Sequence, residues 1–193
     1  MVNKMCAATP VAEMRDRVTA GLHGTVVEVG FGSGLNLPHL PPSVDRLLAV
    51  DPAMTGRRLA AERIEASAVP VDLVGLDGEE LPLGDASVDG AISTFTLCTI
   101  PDAGRALREL RRVLRPGAQL HFLEHGLSPD PPVAKWQHRL TPLQRRVAGG
   151  CHFDRPIERL IADAGFTITK LRNHYMPGPK TFGYLYEGTA VGA

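Results

Sequence analysis

Val26–Leu40, reading VVEVGFGSGLNLPHL, constrains this chain more than any other stretch. Val26, Val27 and Val29 form an apolar run with one acid, Glu28, inside it. Gly30, Gly32 and Gly34 follow at alternate positions, and a leucine-rich segment comes after them. Strand, glycine turn and helix is the order in which α/β folds hold a nucleotide-like ligand at a strand's carboxyl end. Glycine lets the backbone take positive φ and approach a ligand closely. A dinucleotide site has the form G-x-G-x-x-G. Here the spacing is one residue tighter, and Leu35 stands where a third glycine would pack against the helix. That shifts the odds away from NAD. The loop alone also suits a plain strand–helix turn, so its neighbours must decide.

Apolar runs and helical patterns alternate along the chain, which predicts an α/β fold with a parallel sheet. Strands are expected at Val26–Val29, Arg46–Val50, Val71–Gly75, Val88–Ser93 and Gln119–Glu124. Helices are expected at Val11–Leu22, Leu35–Leu40, Gly56–Ser67, Ala103–Leu114 and Pro156–Ala164. Pro116-Gly117 punctuates the end of the Ala103–Leu114 helix. Ile168–His174 and Phe182–Ala190 alternate like paired strands around a Pro177–Pro179 turn. Seven strands ending in a hairpin result. At 193 residues the chain is expected to form one domain.

An apolar fraction of 44% and a charged fraction of 22% are those of a globular protein. Basic and acidic residues balance at 21 each, which argues against nucleic acid as a partner. Cys6, Cys98 and Cys151 are too few for a disulfide framework, and no CxxC pair points to a metal. Cys98 and Cys151 read as small core residues. The N-terminus lacks the apolar stretch of a signal peptide, and no apolar run is long enough to span a bilayer. A cytoplasmic location is expected.

Asp51 closes the second strand about 20 residues after the glycine loop, where an acid accepts both hydroxyls of a ribose. Pro52 follows it, and Asp-Pro is also an ordinary turn starter. Asp77-Gly78 leaves the third strand, where an acid and a backbone N–H can read an adenine. Leu81-Pro82-Leu83 would then wall the ring, although DGEE is equally an ordinary solvated run.

Five segments, EVGFGSG, AVDPA, LDGEELPL, DASVDGAIST and LRELRRVLRPGAQLHFLEH, resemble in order and spacing the class I S-adenosylmethionine-dependent methyltransferases. The resemblance covers about Val26–His125. It implies a Rossmann-like, mostly parallel seven-stranded sheet with helices on both faces and an antiparallel C-terminal strand. It also implies S-adenosylmethionine as cofactor and S-adenosylhomocysteine as product. Glu28 and Gly30 would lie near the methionine amino group, with Gly32 and Gly34 lining the turn. Asn36 would reach the methionine carboxylate. Asp51 with Pro52 would take the ribose, Asp77 and Gly78 the adenine, and Thr94 and Phe95 the floor near the sulfonium. STFTLCTIPD, FLEHGL, a following Trp, a Gly-Cys pair and a C-terminal GYLYEGTA resemble more closely the methyltransferase-like proteins that methylate alkyl thiols. The animal members of that group carry an N-terminal membrane anchor, which this N-terminus does not resemble.

Methyl transfer from a sulfonium is an in-line displacement, served by alignment in a dry pocket. A thiol supplies some thiolate near neutral pH without help, whereas nitrogen or oxygen acceptors often need a base. Glu124 and His125, at the end of the fifth strand, are the catalytic candidates, with Glu80 and His152 behind them. A strand-end cap, or a bond to a backbone carbonyl, is the plainer reading of His125. The reading is methyl transfer to a small-molecule acceptor, a thiol or another lipophilic compound. A C-methyltransferase of quinone biosynthesis, a cofactor-binding protein without turnover and a nicotinamide-dependent oxidoreductase are the rivals.

Residues 126–152 are expected to insert a lid or substrate selector. Within them Trp136, Leu140, Leu143 and Val147 are spaced as one helical face, expected to pack inward. Lys135, Arg139, Arg145 and Arg146 are expected on the other face. A basic amphipathic segment of this kind can also touch a membrane surface.

Overall fold

The computed structural model describes residues 9–147 and 149–192. Cys6 and the first eight residues of the N-terminal segment read above lie outside the described residues. Helix α1 is Thr9–Thr19, and strand β1 is Gly24–Val29. A single 3-10 turn at Leu37–His39 replaces the short helix expected there, because Pro38 and then Pro41-Pro42 prevent elongation. Then come β2 (Val44–Val50), α2 (Met54–Glu65), β3 (Val71–Gly75), β4 (Val88–Thr94), α3 (Ala103–Val113) and β5 (Leu114–His125). The remainder is α4 (Pro131–Val147), α5 (Ile157–Asp163), β6 (Phe166–Tyr175) and β7 (Tyr184–Gly192).

The strands form a seven-stranded sheet in the order β3-β2-β1-β4-β5-β7-β6. The first five run parallel, and β7 inserts antiparallel between β5 and β6. Strand order reverses between β1 and β4, the crevice where open α/β sheets take their ligands. Register lines up the carboxyl ends there: Val29 pairs with Val50 on one side and Ser93 on the other. Gly30, Asp51 and Thr94 therefore emerge side by side.

Both faces of the sheet are covered. On α3, Ala103, Ala106, Leu107, Leu110 and Val113 are buried and the arginines point outward, as the 3.6-residue period predicts. Asp102 caps that helix by accepting the Arg105 N–H.

The insertion corrects the expected packing. It is mostly helix α4, but Trp136, Leu143 and Val147 are exposed, at 53%, 60% and 71%. The buried residues of α4 are polar, Gln137 and Thr141. Gln137 accepts the Ser128 N–H at 2.8 Å and donates to the Gly126 carbonyl at 3.1 Å. Thr141 Oγ1 donates to the Gln137 carbonyl. Here fixing the chain that enters the helix outweighs hiding apolar surface, because buried backbone groups must be paired. No helix among the described residues is long and apolar enough to cross a membrane.

Candidate functional site

The glycine loop takes the shape its sequence predicts. Gly30, Gly32 and Gly34 have φ of +79°, +56° and +72°, a region that other residues rarely adopt. At Gly30 a Cβ would fall 1.8 Å from Thr96 Oγ1, so only glycine lets β1 pass the β4 loop. At Gly32 a Cβ would meet nothing nearer than the Gly30 carbonyl at 3.8 Å, which leaves that side open to a ligand. Gly56 of α2 abuts the Gly32 backbone, where a Cβ would lie 2.9 Å from the carbonyl oxygen. Nothing in the sequence around Gly56 marks that contact.

Asp51, at 7% exposure, accepts the Gly32 N–H at 2.7 Å and the Ala53 N–H at 2.6 Å, one on each oxygen. The carboxylate thus ties the end of β2 to the glycine loop. Each oxygen keeps acceptor capacity for a ribose hydroxyl. Pro52 beside it is exposed.

Beneath the loop lies a polar network only half anticipated. Asn36 Nδ2 donates to Glu28 Oε1 at 2.7 Å and to Thr94 Oγ1 at 3.1 Å. Arg15, reaching in from α1, donates to Asn36 Oδ1 and to Thr94 Oγ1. Asn36 and Glu28 are 0% and 1% exposed. Burial pushes the Glu28 carboxyl up to about 8, against the opposing pull of Asn36 and Arg15. Glu28 Oε2 has no hydrogen-bond partner although it is buried. A buried acid with one empty oxygen beside an open glycine loop suits an incoming ammonium group, so the chain fits the amino end of S-adenosylmethionine. Arg15 lies far from the loop in sequence, and nothing in its own neighbourhood marks it.

The adenine side is less complete. Asp77 is exposed, and its Oδ1 accepts the Glu79 N–H at 2.8 Å in a local turn. Gly78 is buried where a Cβ would strike Val29 Cγ1 at 2.4 Å. Leu81 does not wall a ring. It is 4% exposed, within the core that includes α3, and its N–H and carbonyl are held by Glu109 and Arg112. The apolar side chain next to Asp77 that is open to solvent is Leu76, 57% exposed.

At the β4–β5 edge, Phe95 adopts φ of +55°, an uncommon backbone state for an aromatic residue. Its ring lies 5.0 Å from that of His125, and the Arg15 guanidinium sits 5.7 Å from its centre. His125 is half-buried, whereas Glu124 is fully buried. The Glu124 carboxylate accepts Ser93 Oγ–H at 2.8 Å, the Thr96 N–H at 3.0 Å and the Cys98 N–H at 3.2 Å. Burial raises its pKa, and these donors pull it back. The carboxylate is turned into the protein as the anchor of residues 96–98. Glu80 is on the surface, paired with Arg105. The His152 N–H donates to the Cys98 carbonyl at 2.7 Å.

The sequence treated Cys98 and Cys151 separately. The fold brings both to His125, with the two sulfurs and a ring nitrogen all within 4.8 Å of one another. Hydrogen bonding to Cys151 and burial push the Cys98 thiol well up. Arg155 braces the same loop by donating to the Leu97, Ile100 and Pro101 carbonyls.

Comparison with known proteins agrees with this geometry. Residues 27–122 match the family model described as a methyltransferase domain. The chain is 31% identical to thiol S-methyltransferase TMT1B of Rattus norvegicus, over 86% of its own length and 68% of that protein's. It is 30% identical to thiol S-methyltransferase TMT1A of Homo sapiens, covering 84% of this chain and 70% of that one. A solved putative methyltransferase from Bacillus halodurans superposes with a TM-score of 0.70, at 15% identity and over 93% and 95% of the two chains. The chain belongs to the class I S-adenosylmethionine-dependent methyltransferases. Within that class its relatives include the thiol S-methyltransferases.

Proposed function

We propose that this enzyme methylates a small thiol, with Glu28, Asn36 and Asp51 holding the donor and the β4–β5 edge receiving the acceptor. S-adenosylmethionine, when bound, supplies a methyl group on a positively charged sulfur. Glu28 Oε2 takes the ammonium group and Asp51 the ribose hydroxyls, while Gly30, Gly32 and Gly34 let the backbone close on the ligand. Asp77 and Gly78 flank the adenine. Thr94 and Phe95 form the floor beneath the reacting atoms. The acceptor sulfur forms its bond to the methyl carbon as the old carbon–sulfur bond breaks. That electron pair returns to the donor sulfur, leaving S-adenosylhomocysteine. The acceptor proton goes to solvent.

The observation that carries the thiol reading is the state of Glu124. The carboxylate nearest the transfer edge is fully buried and occupied by three donors. It is therefore a poor base for an amine, phenol or carbon acid. A thiol, with an ordinary pKa of about 8.5, does not need one. The similarity to a thiol S-methyltransferase over 86% of the chain supports the same reading. Residues 126–152 then act as the acceptor's lid.

The test is an acceptor panel of small alkyl and aryl thiols, amines, phenols and a quinol precursor. S-methyl product and S-adenosylhomocysteine should form in equal amounts from thiols alone. Methylation confined to nitrogen, oxygen or carbon overturns the reading.

A further inference from the structure

We propose that Cys98, His125 and Cys151 form a metal site for zinc, with its fourth position open to the acceptor thiol. This rests on the thiol reading above only for that fourth ligand. The donors come from three separate segments: the loop after β4, the end of β5 and the exit of the insertion. Two sulfurs and one imidazole nitrogen are soft ligands, which suit zinc and not calcium or magnesium. Three protein ligands with a vacant position are the pattern of a working zinc site.

The geometry is close to what the ion requires. Zinc–sulfur and zinc–nitrogen bonds of about 2.3 and 2.0–2.1 Å place tetrahedral ligand atoms roughly 3.5–3.8 Å apart. The three donor atoms already lie within 4.8 Å of one another, so side-chain rotation closes the gap. The backbone around them is fixed. Glu124 holds the Cys98 N–H, the Cys98 carbonyl holds the His152 N–H, and Gly150 packs on the Thr99 carbonyl. Cys98 and Cys151 are 1% and 9% exposed and share a small cluster with Phe153, whereas His125 is half-buried with its ring on Phe95. The open coordination position therefore faces the transfer edge. Charge also balances, since two thiolates neutralise one dication at a buried site that penalises unpaired charge.

A cleft of about 500 Å³ lies alongside, lined by Thr99, Gly150 and His152, immediate neighbours of the two cysteines, and by Arg145 and Arg146. It offers an acceptor a way in. On ligation the thiol's S–H bond breaks, a sulfur–metal bond forms and the proton leaves to solvent. The resulting thiolate is the nucleophile, and the metal is regenerated when the S-methyl product departs.

The experiment loads chelator-treated, phosphine-reduced full chain with cobalt(II) as the zinc probe. One equivalent should bind, with thiolate-to-cobalt charge-transfer absorption and tetrahedral d–d bands. Cys98→Ser and Cys151→Ser should each lose about half of the charge-transfer intensity while keeping wild-type circular dichroism and S-adenosylhomocysteine binding. A small alkyl thiol, added without methyl donor, should shift the d–d bands. His125→Ala keeps both sulfurs and should weaken cobalt binding at least tenfold. Absence of thiolate bands, or a Cys98–Cys151 disulfide that persists under reduction, overturns the site. Metal-free enzyme that methylates thiols at the full rate overturns the metal's role and leaves the thiol reading standing. Thiolate bands with no thiol methylation support the site and overturn the acceptor reading instead.

Discussion

The β1–β2 edge and the β4–β5 edge hold their halves of the site by contacts of different range. At β1–β2 the ties lie within residues 15–53, Thr94 apart: Asp51 to Gly32 and Ala53, Asn36 to Glu28, and Arg15 to Asn36. At β4–β5 most of the holding side chains come from farther off, Gln137 excepted. Arg155 grips the carbonyls of residues 97, 100 and 101, Gln137 pins Gly126 and Ser128, and Tyr175 bonds Ser128 and Asp130. The donor edge is thus a motif that one stretch of chain can specify. The acceptor edge is an assembly that can be rebuilt by changing residues far from it. A common donor with many acceptors is what such a division permits.

The largest expected effect breaks that comparison at Glu28, where the local edge carries a cost. Its carboxyl is raised to about 8 by burial, above the ordinary 4.5. Between those pH values the unfolded chain ionises first while the folded one stays protonated. Stability of the free protein therefore falls as pH rises, by up to about 1.4 kcal/mol per pH unit. Glu28→Gln should flatten that slope and make the free protein more stable than wild type at pH 8. It should also weaken S-adenosylmethionine binding. Urea unfolding from pH 5 to 8 reads the first effect and calorimetry the second. An unchanged slope would show that Glu28 carries no burial penalty.

Asp51→Ala comes next. Two hydroxyls lose a charged acceptor, and the loop loses its tie to β2, so cofactor binding should weaken by about 1.5–3 kcal/mol, roughly ten- to hundredfold. Asp77→Ala should cost less, because its exposed carboxylate already serves a local turn. Equal losses at the two positions, measured by calorimetry, would erase the distinction between ribose and adenine sides.

What the sequence made legible follows the same division. Apolar runs placed the first five strands, alternation the last two, and the 3.6-residue period the buried face of α3, because each depends on neighbours in the chain. Asp51 and the three glycines were readable because their conformations are dictated locally. Arg15 was invisible: its partners Asn36 and Thr94 lie 21 and 79 positions away, and its own helix gives no hint. Cys98 and Cys151 looked like unrelated core residues because β4–β5 pairing brings the first to His125 and only the folded insertion adds the second. Leu81 was misplaced because a loop leucine serves a ligand wall or a core equally well until α3 captures it through Glu109 and Arg112.

Helix α4 gives the smallest and sharpest contrast, since there hydrophobic spacing pointed the wrong way. Adjacent residues can be compared directly. Gln137→Ala removes both partners of a buried turn, leaving the Ser128 N–H and the Gly126 carbonyl without them. It should cost about 1–3 kcal/mol in denaturant unfolding. Trp136 is 53% exposed and contacts Arg139 through its ring, so Trp136→Ala should cost no more than about 0.5 kcal/mol. The usual expectation, a core tryptophan beside a surface glutamine, would give the reverse order. A larger loss for Trp136→Ala would mean that its ring is covered in solution. The outward stripe of Trp136, Leu143 and Val147 would then be a contact surface in its own right. A larger loss for Gln137→Ala would instead show that α4 is held by its polar side, through residues that also fix the strand exit carrying His125.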